Sequence, residues 1–452
     1  MHYADLNRTL SALLTEHHQH LDTRAILIDT DAIEAGVSLL QTHLPGPKWI
    51  MAVDEHTWEA AGDALARALD AHDIRWERYD VPTPAGEKFP MCDDGAVDAF
   101  ERALRAGDFS AAIAVGSGTI NDIVKLGAHR AERPMACVAT APSMNGYTSK
   151  IAAVLSHGVK TTNPCSAPAV VIADVDVMAQ SPARMIASGL GDLISKPVSN
   201  ADWQLSAQLN GTFHSAEAME VIEMGAAMLD GVAPGLAKRD RDATAGLVAS
   251  LMVSGLAMSI AGSSSPASGG EHLISHYIDM TAHAFDQPYD FHGCQVGVGT
   301  LTTALFYERL AAMSPDEIDV EQRVAALPSW EEHEAAIRAH FGPLSEAVLK
   351  HARPAFPTPE QLRQRLSALK DNWDDIMPKV KRTLRTQAAI EQELRQGLAP
   401  VRFAELDVAR ERAQGAITRS KDIRNRYTIL HLAWELGLLE EWADQALDVL
   451  YE

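Results

Sequence analysis

Residues 111–125 read AAIAVGSGTINDIVK, an apolar run followed by a glycine turn that opens a helix. Glycines let the backbone of such a turn approach a pyrophosphate closely, and the N–H groups at the new helix N-terminus favour its charge. The turn is therefore a candidate anion site. The alternative is a turn without a ligand, because strand-to-helix turns of any kind favour glycine.

Outward from this turn, short apolar runs alternate with helical stretches in the first part of the chain. Such alternation predicts a parallel sheet. The predicted strands are residues 25–28, 49–53, 75–81, 111–115, 136–139 and 169–173, and early helices are predicted at 31–43 and 57–72. After about residue 178 the apolar residues recur at helical spacing. We therefore predict an α/β dinucleotide-binding domain over residues 1–178 and an all-helical metal and substrate domain over residues 179–452.

Composition narrows the partners and the compartment. The chain has 61 acidic against 39 basic residues and a net charge of −22, which disfavours nucleic acid and anionic membranes. Its four cysteines stand apart without a CxxC pair, as expected in a reducing compartment. The first residues show no secretory signal, and residues 244–262 are rich in Ala, Ser and Gly, which predicts a buried helix. We expect a cytoplasmic protein without membrane insertion.

The glycine turn differs from the Rossmann fingerprint. It lacks the third glycine and follows a later strand instead of the first, so an ordinary Rossmann dehydrogenase is disfavoured. Asp54, directly after the strand at 49–53, is placed to accept hydrogen bonds from a ribose and to repel a 2′-phosphate, which favours NAD over NADP. The alternative is that Asp54 only caps the following helix.

One aspartate and two histidines, out of three that lie in suitable motifs, form a candidate metal site. The stretch GGEHLISH, residues 269–276, places His272 and His276 four residues apart on one helical face. His292 lies beside a glycine at the predicted start of another helix, and Asp192 follows Gly191. A carboxylate with imidazoles and open coordination positions suits catalytic zinc or a similar ion. The alternative is chance, since the chain has 18 histidines.

Together these motifs resemble the bacterial branch of the sn-glycerol-1-phosphate dehydrogenase family, within the superfamily of iron-containing alcohol dehydrogenases and dehydroquinate synthases. The resemblance implies a dehydroquinate synthase-like fold and covers most of the chain. Its blocks are, in order, DEHT (54–57), GSGTIND (116–122), TAPSMNGYTS (140–149), GDL (191–193), ADW (201–203), EHLISH (271–276), HG (292–293) and RNRYT (424–428).

The resemblance implies a role for each matching residue. Asp192, His272 and His292 would hold a divalent metal (Zn²⁺, Ni²⁺ or Fe²⁺), and Asp192, His276 and position 145 would serve catalysis, with His276 facing the substrate. The residues that would bind NAD or NADP, besides Asp54, are Gly116, Ser117, Gly118, Thr119, Ile120, Thr140, Ser143 and Ser149. The family interconverts dihydroxyacetone phosphate and glycerol 1-phosphate, and its bacterial members form homodimers.

Two positions depart from the family pattern. Asn145 stands where the family carries an aspartate that contacts the substrate, and Pro197 replaces an expected aromatic residue. An amide can hydrogen-bond a hydroxyl group but cannot take up a proton. The change predicts an altered, more anionic substrate such as a phosphonate or a phosphorylated aldehyde. Lys150 and Lys160 are further candidates for a phosphate contact.

Two other functions remain open. A dehydroquinate synthase-like cyclase would share the fold, the metal and the NAD but would return the cofactor unchanged in each cycle. A catalytically silent binding protein is the alternative from another class, and Asn145 is the one feature in its favour. Metal analysis together with an NADH oxidation assay distinguishes these possibilities.

Overall fold

The computed structural model describes residues 2–156 and 158–452 of the chain. It divides into two compact units. The first unit consists of Met1–Leu193 and Glu217–Ser264, and the second consists of Ile194–Ala216 and Ser265–Glu452.

A six-stranded parallel sheet forms the centre of the first unit, with the strand order β1-β8-β5-β4-β2-β3, and β6 pairs with β7 as an antiparallel hairpin. All six predicted strands are confirmed, and the hairpin is an addition to them. The strands are β1 Ala25–Asp29, β2 Lys48–Val53, β3 Arg75–Asp80, β4 Ala111–Gly116, β5 Met135–Ala139, β6 Ile151–Ser156, β7 Val159–Pro164 and β8 Val170–Asp174.

The remaining elements are helices. They are α1 Tyr3–Glu16, α2 Ala32–His43, α3 Glu55–Thr57, α4 Asp63–Ala71, α5 Asp94–Ala106, α6 Gly118–Arg130, α7 Val175–Gln180, α8 Ala183–Ile194, α9 Lys196–Asn210, α10 Ala216–Leu229, α11 Ala233–Leu236, α12 Arg241–Ala261, α13 Gly270–Phe285, α14 His292–Ala312, α15 Val320–Ala325, α16 Trp330–Phe341, α17 Ser345–Ala355, α18 Pro359–Asp371, α19 Trp373–Lys381, α20 Gln387–Gln396, α21 Arg410–Arg419, α22 Ile429–Leu436 and α23 Leu439–Leu450. A π-helical turn, Trp58–Gly62, joins α3 to α4.

Apolar packing holds the sheet against its helices. Strands β4, β5 and β8 are buried along their whole length, as expected for parallel strands that are covered on both faces. One face packs against α2 and α4, and Val37, Leu40 and Leu65 belong to the same buried cluster as Ile113 of β4. Each fully buried side chain of this kind contributes about 1.5–3 kcal/mol of hydrophobic stabilisation. The sheet is therefore a rigid support for the loops at its edge.

Helix α12 explains why the compact units differ from the predicted boundary at residue 178. Among the described residues it is the one helix long and apolar enough to cross a membrane, but 94% of its apolar window is buried inside the protein. It packs against α1, α7 and β1 of the first unit. The predicted buried helix is thus confirmed. Because α10–α12 return to cover the α/β unit, the end of the strand-rich sequence does not coincide with the edge of a compact unit.

The sheet reverses its winding direction between β2 and β4. These strands are neighbours, but the chain passes from β2 to β3 on one side and from β4 to β5 on the other. In open α/β sheets, ligands bind at the carboxyl ends of the strands at such a switch point. Asp54 follows β2 and Ser117 follows β4, so both predicted cofactor residues lie at this edge.

Candidate functional site

The glycine turn connects β4 tightly to α6. Gly116 ends the strand, Ser117 is the N-cap and Gly118 begins the helix. A methyl group on Gly116 would lie 2.7 Å from Cβ of Ile120, so only glycine allows this close approach. Ile120 is 2% exposed, and its predicted contribution to dinucleotide binding can therefore come only from its main chain. With Thr119 it supplies N–H groups of the first helical turn, which have no partner inside the helix.

Residues 140–149, named here the 140–149 loop, form a second wall of the same region. The Ser117 hydroxyl bonds the Ser143 hydroxyl and lies 3.2 Å from Tyr147 Oη, which donates its proton to Ala141 O at 2.6 Å. Thr140 and Ser143 are only 6% and 7% exposed, and their predicted cofactor contacts stay predictions. The structure thus brings the turn and the loop into one hydrogen-bonded group.

Helices α8 and α12 press on this loop from within the first unit. A methyl group on Gly189 would lie 1.8 Å from the Pro142 carbonyl oxygen, and one on Gly255 would lie 2.2 Å from Thr148 Oγ1. Thr148 Oγ1 also donates a hydrogen bond to Met252 O at 2.7 Å. The loop keeps its shape because two helices contact its backbone at glycines.

Lys125, on the helix that follows the glycine turn, holds the end of the 140–149 loop. It is fully buried, and its Nζ donates to Gly146 O at 2.9 Å and lies 3.0 Å from Asp122 Oδ1. Burial lowers the pKa of Lys125, but the attraction of Asp122 and its other neighbours outweighs burial and leaves the pKa raised. The signal in the sequence is the spacing of three residues between an acid and a base in the helix that follows the turn. Ser149 belongs to the same internal network, since its hydroxyl donates to Gly146 O at 3.0 Å, and its predicted cofactor contact stays a prediction.

Asn145 and Asp192, predicted from separate motifs, lie in direct contact in the first unit. The Asn145 backbone N–H donates to Asp192 Oδ2 at 3.0 Å, and its Nδ2 donates to Asp192 Oδ1 at 3.1 Å. Nδ2 also lies 3.2 Å from Ser254 Oγ. Asp192 is only 1% exposed. Asn145 therefore orients a buried carboxylate by donating to both of its oxygens. An aspartate at position 145 would keep the backbone bond but lose the bond from Nδ2.

Asp54 caps α3, as the simpler interpretation of its position predicted. Its Oδ1 accepts the Thr57 N–H at 2.7 Å, and the Asp54 N–H donates to Thr57 Oγ1 at 2.9 Å. A carboxylate has a second oxygen, so the cap is compatible with a ribose contact. That contact stays a prediction. Lys150 forms an ion pair with Asp22 at 3.1 Å, and Lys160 lies on β7.

The three histidines gather in the second unit, where α13 carries His272 and His276 and α14 begins with His292. Their ring centroids are 5.2 Å apart for His272 and His292, 5.6 Å for His276 and His292, and 6.2 Å for His272 and His276. Two imidazoles that bind one tetrahedral zinc ion through their near nitrogens have centroids about 5 Å apart. His272 and His292 therefore fit a shared ion.

Among the described residues, no group of three or more His, Cys, Asp or Glu side chains is already arranged to hold a metal ion. The two imidazoles nevertheless have the hydrogen-bonded Nδ1 atoms that are typical of metal ligands. His272 Nδ1 lies 2.8 Å from Glu271 Oε1, and His292 Nδ1 lies 3.0 Å from Ser275 Oγ. The donor chemistry of the second unit thus fits a first-row divalent ion.

A buried carboxylate lies beneath the start of α13. Asp202 accepts the N–H groups of Gly270 at 2.7 Å and Ile429 at 2.6 Å, and it accepts the Tyr307 hydroxyl at 2.6 Å. Burial and the nearby Glu271 raise the pKa of Asp202 to about 7. This network anchors the helix that carries two of the histidines to α9, α14 and α22.

Comparison with known proteins identifies the class of enzymes that shares this fold. Residues 27–182 match the model of the iron-containing alcohol dehydrogenase family. The glycerol dehydrogenase of Schizosaccharomyces pombe has the same fold, with a TM-score of 0.60, 15% identity, and coverage of 94% of this chain and 90% of that one. The fold is thus that of the iron-containing alcohol dehydrogenases, and the predicted fold class is confirmed.

Relatives with higher sequence identity identify the family within this class. The chain is 31% identical over 370 residues to the glycerol-1-phosphate dehydrogenase [NAD(P)+] of Bacillus licheniformis, covering 79% of this chain and 90% of the relative. It is 34% identical over 268 residues to the enzyme of the same name from Bacillus subtilis, covering 58% of this chain and 66% of that relative. This chain belongs to the glycerol-1-phosphate dehydrogenase family, which confirms the resemblance noted in its motifs.

Proposed function

We propose that this chain is a metal- and NAD(P)-dependent dehydrogenase that interconverts dihydroxyacetone phosphate and sn-glycerol 1-phosphate. The observation that carries the proposal is the gathering of His272, His276 and His292, with ring centroids 5.2–6.2 Å apart, in a member of this family. A family member without the reaction has no need to keep three imidazoles together.

The dinucleotide would bind at the switch point of the sheet. The N–H groups of Gly118, Thr119 and Ile120 would hold the pyrophosphate at the start of α6, and glycine at 116 would allow the close approach. Thr140 and Ser143 would contact the cofactor from the 140–149 loop. Asp54 at the end of β2 favours NAD over NADP, because its charge repels a 2′-phosphate.

Asp192, His272 and His292 would hold one divalent ion, Zn²⁺, Ni²⁺ or Fe²⁺. When bound, the ion supplies Lewis acid chemistry that offsets negative charge on the reacting oxygen, and the nicotinamide supplies or accepts the hydride. The two hydrogen bonds from Asn145 would keep the Asp192 carboxylate in one orientation.

His276 would serve as the proton carrier. In the reducing direction its imidazolium would give a proton to the substrate oxygen that becomes a hydroxyl group, and in the oxidising direction its neutral ring would take that proton back. Imidazole suits this exchange because its ordinary pKa lies near neutral pH. The variant His276→Ala should therefore lose turnover and keep its metal, whereas unchanged turnover would exclude this role.

A second substrate class is favoured by Asn145. The family's aspartate is replaced by an amide that donates to Asp192, so one negative charge is missing from this region. A substrate more anionic than dihydroxyacetone phosphate, such as a phosphonate or a phosphorylated aldehyde, would meet less repulsion here. A cyclase that uses NAD internally is the other candidate within the superfamily. We further propose a homodimer in the cytoplasm, without nucleic acid as a partner.

The test is an NADH assay on purified protein that has been stripped of metal and reloaded with Zn²⁺, Ni²⁺ or Fe²⁺. Dihydroxyacetone phosphate should cause NADH oxidation in step with the formation of sn-glycerol 1-phosphate, as determined by chiral analysis of the product. Faster oxidation with a phosphonate or a phosphorylated aldehyde would identify the second substrate class. Product without net NADH oxidation would indicate the cyclase, and no reaction with any carbonyl compound and any of the metals would contradict the proposal.

A further inference from the structure

Hydrogen-bonding partners lie next to Nδ1 of two histidines in the second unit. We propose that Glu271, Ser275 and Gln295 are positioning residues that keep the proton of His272 and of His292 on Nδ1, so that each ring presents an unprotonated Nε2 as a metal ligand. The proposal rests on the proposed function in one respect: it takes His272 and His292 as ligands of the metal.

Glu271 controls His272. Its side chain bends back over the start of α13, where Oε1 accepts the Gly269 N–H at 2.7 Å and lies 2.8 Å from His272 Nδ1. Because Oε1 already accepts the Gly269 N–H, this oxygen acts as an acceptor and is suited to accept a second N–H from the ring. His272 is therefore the donor, and its proton lies on Nδ1. The remaining nitrogen, Nε2, carries the lone pair that a metal requires.

The orientation of the Gln295 amide starts a second chain of hydrogen bonds. Its Nε2 lies 2.9 Å from the backbone oxygen of Asp290, and only an N–H group can face a carbonyl oxygen at that distance. The amide oxygen Oε1 must then point the other way, toward Ser275 Oγ, which lies 2.8 Å from it. The orientation of this amide thus follows from its partners.

The orientation of Gln295 determines the roles of Ser275 and His292. Ser275 has one hydroxyl proton, and the amide oxygen of Gln295 takes it. The Ser275 oxygen can then only accept from His292 Nδ1, 3.0 Å away. The proton of His292 is therefore on Nδ1, and Nε2 is again the unprotonated nitrogen. Glu271 at His272, and Ser275 with Gln295 at His292, thus favour the same tautomer in both rings.

The spacing of Glu271 and Ser275 explains how α13 supplies a hydrogen-bonding partner to both His272 and His292. Glu271 and Ser275 are four residues apart on α13, beside His272 and His276, which are also four apart. Residues with this spacing lie on one helical face, so a supporting row runs next to the histidine row. Glu271, Ser275 and Gln295 are all 0% exposed, so bulk water cannot substitute for a lost partner. Removing one of them releases the ring to the other tautomer.

Zinc affinity of the apo protein measures the effect without any turnover. Zn²⁺ is titrated in competition with a chromophoric chelator into wild type, Ser275→Ala, Gln295→Met and Glu271→Met. We expect each variant to bind Zn²⁺ about 10–100-fold more weakly, the range found when a partner of a metal-ligating histidine is lost. Ser275→Thr and Glu271→Gln, which keep an accepting oxygen, should recover most of the affinity.

Two matched controls separate positioning from general loss of packing. Thr300 on α14 is also 0% exposed, but its hydroxyl donates only to the Val296 backbone at 2.8 Å, so Thr300→Val should keep the wild-type affinity. Glu435 is a buried carboxylate on α22 that accepts the Tyr427 hydroxyl at 2.7 Å and pairs with Arg365 at 2.5 Å. Glu435→Gln should lower the stability of the fold and leave the zinc affinity unchanged.

Nitrogen NMR of the apo protein observes the tautomers directly. With ¹⁵N-labelled histidine at pH 8, the signals of His272 and His292, assigned through single His→Asn variants, should show the proton on Nδ1. In Ser275→Ala the His292 signal should shift toward the other tautomer while that of His272 stays. Wild-type tautomers and wild-type affinity in all the loss variants would overturn the inference. Failure of wild type to bind any metal would contradict the proposed function instead, and the NMR result would still decide the tautomers.

Discussion

Two regions of the molecule use different functional groups: the glycine turn with the 140–149 loop, and the histidine cluster of His272, His276 and His292. At the turn the functional groups are backbone N–H groups, and glycines at 116, 189 and 255 allow backbone and helices to approach closely. At the cluster the functional groups are side chains, which are oriented by other side chains such as Glu271 and Ser275. We infer that the first region is sensitive to added volume and the second to the loss of single hydrogen-bonding groups.

The largest expected effect comes from removing a histidine of the cluster. His272→Ala removes one proposed metal ligand, and a site that depends on side chains has no backbone substitute. We expect loss of bound metal by elemental analysis and a fall in kcat of roughly a thousandfold or more, since the ion accounts for several kcal/mol of transition-state stabilisation. His20→Ala, at an exposed position, is the control. Wild-type metal content in His272→Ala would remove this residue from the ligand set.

Added volume should damage the other region. Gly189→Ala would place a methyl group 1.8 Å from the Pro142 carbonyl oxygen, so the 140–149 loop must shift. We expect a loss of about 1–3 kcal/mol or more in the free energy of unfolding in urea, together with weaker NADH binding measured by fluorescence. Gly95→Ala is the matched helical control, because its methyl group would meet only Asp93 Oδ1 at 3.4 Å. Equal behaviour of the two variants would show that the loop does not depend on this close approach.

These two regions also differ in how much the sequence could predict. All six strands of the parallel sheet and the glycine turn were predicted, because each is a local pattern of apolar residues and turn residues. The hairpin of β6 and β7 was missed. Half-buried residues make up much of both strands, with buried positions in β6 and exposed positions in β7, and Gly158 between them has a φ of +80°. This pattern is much weaker than the continuous apolar runs of the sheet.

Long-range packing was the second limit. The sequence after residue 178 predicts helices, and the structure has helices there. No local sequence pattern indicates that α10–α12 pack in the first unit. The candidate histidines and Asn145 were predicted from motifs. The contact of Asn145 with Asp192, and the roles of Lys125, Glu271, Ser275 and Gln295, depend on partners distant in sequence or on the direction of a side chain, which spacing alone does not give.

Asn145 is the residue of the 140–149 loop whose side chain, and not only its backbone, contacts a proposed metal ligand. Asn145→Asp would remove the Nδ2–H donor and set a second carboxylate about 3 Å from the buried Asp192. We expect the metal-free protein to lose about 1–3 kcal/mol of stability in thermal or urea unfolding. Bound Zn²⁺ should restore part of the loss by offsetting the repulsion. Asn145→Ala adds no charge and should cost less, and an Asn145→Asp protein as stable as wild type would contradict the assigned contact.

The smallest expected effect concerns His431, a buried histidine of the helical unit outside the cluster. Burial, and then the nearby Lys421, lowers the pKa of His431 to about 3. The unfolded chain, with an ordinary histidine pKa near 6.5, therefore binds the proton more readily than the folded one between these values. The stabilising contribution is complete above about pH 6.5 and is lost as the pH falls through this window.

His431→Asn keeps an acceptor toward the Thr428 N–H, which lies 3.3 Å from His431 Nδ1, and removes the titrating ring. Urea unfolding at pH 7 and pH 5.5 should show wild type losing about 1 kcal/mol more than the variant over this range. Equal losses in both proteins would show that His431 does not contribute to the acid sensitivity.

Anomalous diffraction at the zinc edge, from crystals of the zinc-loaded protein, tests the proposed metal site directly. We expect one ion about 2.0–2.2 Å from Nε2 of His272, Nε2 of His292 and a carboxylate oxygen of Asp192, the distances at which zinc binds these donors. An ion bound through Nδ1, an ion held by other residues, or His272 and His292 without an ion between them at full zinc loading would contradict it.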